Sequence, residues 1–161
     1  MAEPTSSDVR PVFIELSPQT LVRVALLGAL VGVASWLLTA LIRQIIFVPL
    51  FCGDPANSMC VGATGGAGTI ALFVVAVAGL LGLVRLGVYR PLLVVVAAAV
   101  SLWGIASWTA EFSWVESLLW TIVLYSLVYT VFTWLVRPRA FAFAAGLTVV
   151  VVLLIRLVTA L

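Results

Sequence analysis

From residue 17 onward the chain alternates long apolar runs with short polar breaks. The first run, Leu21 to Ile42, is interrupted only by Arg23 and small polar residues. About 20 apolar residues cross a bilayer as a helix, so this run predicts a membrane span. Ser17 is a favoured N-cap, and Pro18 at the first helical position loses no needed donor. Ile45 to Phe51 stay apolar, either extending the helix or bending along the surface at Pro49. Four more runs follow. Together they predict five spans, over about 18–48, 65–86, 91–110, 114–136 and 139–161, with an outer loop at 49–64. Residues 17–161 then form one transmembrane domain behind a polar N-terminal segment, 1–16. The inner turns are tight and basic, Arg85–Arg90 and Arg137-Pro138-Arg139. Ser113-Trp-Val-Glu116 matches a capping box opening the fourth span. The expected fold is all-α, a polytopic membrane helix bundle.

Within the first span, Gly28, Gly32, Ser35 and Thr39 recur at helical spacing, so one face is almost bare of bulk. Such a face lets a second helix approach closely, which is how helices associate where lipid removes the hydrophobic drive. Leu30, Trp36, Leu37 and Leu41 occupy the opposite face, expected toward lipid. This helix is the post against which the others are expected to pack.

Composition agrees with the pattern. Of 161 residues, 65% are hydrophobic and 9% charged, with a mean hydropathy of +1.32. A soluble domain carries roughly 25% charged residues. The lipid bilayer is therefore the first partner. The eight basic residues are all Arg, and the net charge of +2 contains no basic run to neutralise phosphates, which excludes a nucleic-acid partner. Arg10, Arg23, Arg85, Arg90, Arg137 and Arg139 fall on one side of a five-span topology, and only Arg43 and Arg156 on the other. The basic side faces the cytoplasm, so the N-terminus is expected inside and the C-terminus outside. Trp103, Trp108, Trp114 and Trp120 gather near the outer interface. Residues 1–20, with Glu3, Asp8, Arg10 and Glu15, are not expected to act as a secretory signal. The expected location is a bacterial plasma membrane.

Chemistry is sparse. There is no His and there are two Cys, so no haem, zinc or iron–sulfur cofactor and no metal site is expected. No His or Lys is present to serve as a base, and Glu111 and Glu116 sit without an accompanying motif, so the chain is not expected to be an enzyme. Cys52 and Cys60 lie eight positions apart on the outer, oxidising side and are expected to form a structural disulfide. Redox pairs mostly use the shorter Cys-x-x-Cys spacing. Arg43, Glu111, Glu116 and Arg156 map to the outer rim as a candidate polar cluster with two readings. One is a gate pairing Arg43 or Arg156 with Glu111; the other is interfacial anchoring. Tyr125, Tyr129 and Thr133 recur every four residues on the fourth span, either lining a polar pocket or bonding helix to helix. No ionisable relay is expected at mid-depth, which argues against a proton-coupled carrier. The expected function is a non-enzymatic accessory, scaffold or assembly subunit that binds a membrane-protein partner or itself. The alternative is a small transporter or channel acting as an oligomer.

Overall fold

The computed structural model describes residues 18–52, 60, 62–136 and 141–160. The expected N-terminal segment 1–16 and most of the outer loop, with Asp54, lie outside the described residues, as do Arg10, Arg137 and Arg139.

Helix α1, Pro18–Phe51, is unbroken but not uniform. It is α-helical over Pro18–Ile42, winds as a π-helix over Arg43–Phe47 and returns to α over Val48–Phe51. Pro49 accounts for the wider turn: it has no N–H for the carbonyl of Ile45, and its ring would crowd that carbonyl in a regular helix. Of the two expectations for Ile45–Phe51, the chain takes the extension, past the anticipated end at 48. Helix α2, Ala63–Arg85, begins two residues earlier than the pattern placed it.

The third span departs from expectation. In place of one helix over 91–110 there are two pieces, α3, Pro91–Ser101, and α4, Ile105–Trp108, followed by a 3₁₀ turn, Thr109–Glu111. Gly104 between them is left-handed, with φ of 90°, a conformation glycine adopts without strain. At 1.5 Å per residue, Ser101 stands about 15 Å above Pro91, roughly half the apolar thickness of a bilayer. Helix α5, Trp114–Leu135, opens on the capping box: Ser113 accepts from the Glu116 N–H, and the Glu116 carboxylate accepts from Ser113 N at 3.1 Å. Helix α6, Phe141–Ala160, ends the described chain.

Four segments are long and apolar enough to cross a membrane: Pro18–Phe51, Ala63–Arg85, Pro91–Glu111 and Trp114–Leu135. With α6 as the fifth helix, the protein is an all-α membrane helix bundle with no strand among the described residues. Helix α1 packs along both α5 and α2, and α3 lies against α2, α5 and α6. The most deeply buried side chains, Tyr125, Tyr129, Phe132, Leu83, Val24, Val94 and Val136, come from four of these elements and their turns. Leu30, Leu37 and Leu41 point outward, as a lipid-facing row should. Trp36 does not join them: it is half-buried beside a polar pocket.

Candidate functional site: a polar pocket above a closed hydroxyl seam

The bare face of α1 is pressed against α5. A Cβ placed on Gly28 would stand 2.8 Å from the Ser126 Cα, and one on Gly32 would stand 3.0 Å from the Thr121 carbonyl oxygen. This approach lets hydroxyls bond across the seam. Ser126 donates to the Ala25 carbonyl at 3.0 Å, and Ser35 shares a 2.9 Å hydrogen bond with the Tyr125 hydroxyl. Thr39 closes the row by donating to the Ser35 carbonyl on its own helix at 2.8 Å.

Toward the disulfide end the two helices diverge. The space between them is a pocket of ≈ 250 Å³, completed by Thr64 of α2, by α4 and its 3₁₀ turn, and by the head of α5. Its polar wall holds Ser35, Thr39, Arg43, Thr64, Thr109, Ser117 and Thr121, and its aromatic rim Trp36, Phe112 and Trp114. Arg43, the first residue of the π-turn, is the sole charged residue in that lining. Single π-turns inside α-helices occur frequently at functional sites.

Below the pocket the seam is closed. Tyr125 lies about 16 Å along α5 from Trp114, and Tyr129 rests its phenol on Gly79, where a side chain of any size would collide. The space beside these tyrosines, lined by Leu72, Val75 and Leu102 among others, has no room for a water-sized sphere. Thr133 is buried with its hydroxyl oxygen unpartnered. Of the two readings of the Tyr125–Tyr129–Thr133 stripe, the geometry at Tyr125 is that of a bond between helices. At Thr133 there is no such bond.

The rim charges do not gather into one cluster. Arg43 faces the pocket and makes no ion pair with Glu111 among the described residues. Glu116 is engaged by its cap. Arg156 lies away from the rim, at the break between α3 and α4, where it donates to the Trp103 carbonyl at 3.1 Å. That carbonyl faces a turn with no helical donor to satisfy it, and lipid offers none, so a guanidinium brought from α6 supplies it. The other bonds at the break are local: Leu102 N–H to the Ala98 carbonyl at 2.9 Å, and Ser107 Oγ to the Gly104 carbonyl at 2.7 Å. Phe73 of α2 braces the turn from the side, edge to face on Trp103 with ring centroids 5.8 Å apart. A second groove of ≈ 370 Å³ opens here, lined by the turn, by Leu124, Leu127 and Val128 of α5, and by Ile155 and Arg156. Sequence reasoning missed this feature; Gly104 was the one local signal for it.

A disulfide joins Cys52 to Cys60, with Cα atoms 5.0 Å apart. It closes the loop between α1 and α2 at the end of the bundle that carries the pocket. No group of His, Cys, Asp and Glu able to hold a metal ion occurs among the described residues.

These features define a class, the polytopic α-helical integral membrane protein with a disulfide in one loop. No protein family matches the chain, and no curated protein or solved structure matches it either.

Proposed function

We propose that the chain is a non-enzymatic membrane subunit, an accessory or assembly component that binds another membrane protein through its helix faces and its disulfide-closed end. The observation that carries this reading is the closed middle of the bundle. A solute pathway needs a wet cavity, and coupled transport an ionisable group, at that depth. In the core beside Tyr125 and Tyr129, between α2, α3 and α5, the described residues offer the Ser35–Tyr125 bond, the Tyr129 ring on Gly79, and no room for water. The loose attachment of α6 supports assembly: Ala144 and Thr148 alone are buried among its residues of described burial. The disulfide, lying on the arginine-poor side, supports placing that end in an oxidising compartment such as the outer side of a bacterial plasma membrane.

A second reading, a small transporter, is favoured by one observation. Carriers build their sites at discontinuous helices near the midplane, and α3 and α4 are such a pair, with Arg156 at the gap. Reconstituting the purified protein into vesicles separates the two. Fluxes of protons, potassium, chloride and glycerol should match those of empty vesicles. A saturable flux of any of these would favour the transporter and overturn the subunit reading.

A further inference from the structure

The pocket at the disulfide end holds a cation that no described residue answers. Among the described residues Arg43 makes no hydrogen bond or ion pair, and no carboxylate lines the pocket. A guanidinium presents five N–H donors in a planar fork that matches the oxygens of a phosphate. The threonines of the same lining, on α1, the 3₁₀ turn and α5, have a different character. Thr39 donates to the Ser35 carbonyl at 2.8 Å, Thr109 to the Ile105 carbonyl at 3.0 Å, and Thr121 to the Ser117 carbonyl at 2.7 Å. Each hydroxyl proton is thus committed to its own helix. What these threonines turn to the pocket is oxygen lone pairs, which only accept.

The pocket therefore asks for two things at once: an anionic acceptor at Arg43, and neutral donors at the threonines of the same lining. An ammonium donor would meet no carboxylate, whereas hydroxyls suit neutral oxygens. Trp36 and Trp114 add apolar surface for a short carbon skeleton between the two groups. We propose that this pocket binds a phosphate ester carrying free hydroxyls, with the phosphate on Arg43 and the hydroxyls on Thr39, Thr109 and Thr121. A glycerol-phosphate lipid headgroup and a water-soluble polyol phosphate share this chemistry. The pocket takes in the starts of α2 and α5, at Thr64 and Trp114, and helix ends are where headgroups reside. The proposal stands whether or not the protein has a partner subunit.

The test titrates the full-length protein, purified in an uncharged detergent, with short-chain phosphatidylglycerol, short-chain phosphatidic acid and glycerol 3-phosphate, read by calorimetry. Saturable binding of phosphatidylglycerol is expected. Arg43→Gln should weaken it at least tenfold and Arg43→Lys less. Arg23→Gln, at the other end of α1, should leave it unchanged. Thr109→Val should weaken phosphatidylglycerol but not phosphatidic acid, whose headgroup has no polyol hydroxyl. Glycerol 3-phosphate binding as tightly as the lipid identifies a soluble source, and binding of the lipid alone identifies a membrane source; both support the site. Absence of saturable binding by every ligand overturns the proposal, as does wild-type affinity in Arg43→Gln. Melting curves of Arg43→Gln and wild type should coincide, because Arg43 is exposed and bonds to no described residue.

Discussion

Adding one methyl group to α1 tests the seam most sharply. In Gly28→Ala the new Cβ falls 2.8 Å from Ser126 Cα and 2.9 Å from the Tyr125 carbonyl oxygen. Both are backbone atoms, so no rotamer change makes room. A normal carbon–carbon separation is ~3.5 Å or more, and α1 and α5 must part by about 0.7 Å at that point. Parting them stretches the 3.0 Å Ser126–Ala25 bond toward the limit of useful geometry. Overpacking of this kind costs about 1–3 kcal/mol. Alanine returns roughly 0.5–1 kcal/mol through its better helix propensity, leaving a net loss of up to about 2.5 kcal/mol. The comparison is Gly146→Ala on α6, where a Cβ meets nothing within 4 Å. There only the propensity gain remains, so the sign should reverse. Unfolding in mixed micelles of dodecyl maltoside and sodium dodecyl sulfate, followed by tryptophan fluorescence, measures both. Equal shifts in the two variants would refute the reasoning, because the tight α1–α5 seam would then have no energetic consequence.

Other expectations follow from the remaining features. Cys52→Ser should lower stability by about 2–3 kcal/mol on the loop-closure estimate without preventing membrane insertion, and reductant should produce the same loss in the wild type but not in the variant. Arg156→Met should remove the donor from the Trp103 carbonyl and destabilise the bundle by about 1–3 kcal/mol; Arg156→Lys should recover part of that in the same unfolding assay. Reporter fusions should place residues 88 and 138 in the cytoplasm, and residue 56 and the C-terminus outside, following the arginine asymmetry; a cytoplasmic C-terminus would contradict it.

The chain shows some of this architecture in its residue pattern and conceals the rest. Span positions are legible because charge and turn residues collect between apolar runs. The packing face of α1 is legible because Gly28, Gly32, Ser35 and Thr39 share a helical period, and that period survives into the folded helix. The break after Ser101 is not, since Pro91 to Trp108 reads as one apolar run and glycine is common in membrane helices. Its location depends on whether Arg156, more than fifty residues away, can reach the freed carbonyl. The same break decides the fate of the rim charges. By seating α4 against α2 it sets Thr109, not Glu111, in the lining of the pocket with Arg43. A pairing of Arg43 with Glu111, reasonable from the spans alone, assumed a straight third helix. The π-turn had a visible cause in Pro49, but its effect, an arginine at the mouth of a pocket, needs the neighbouring helices to be placed first.

The central claim is that this closed bundle works by assembling with another membrane protein. The most direct measurement is the native mass of the protein extracted from its own membrane in mild detergent. A species whose mass includes a second polypeptide, in fixed ratio to the 17.1 kDa chain, is the expected result. Particles made only of whole-number multiples of that chain would contradict it.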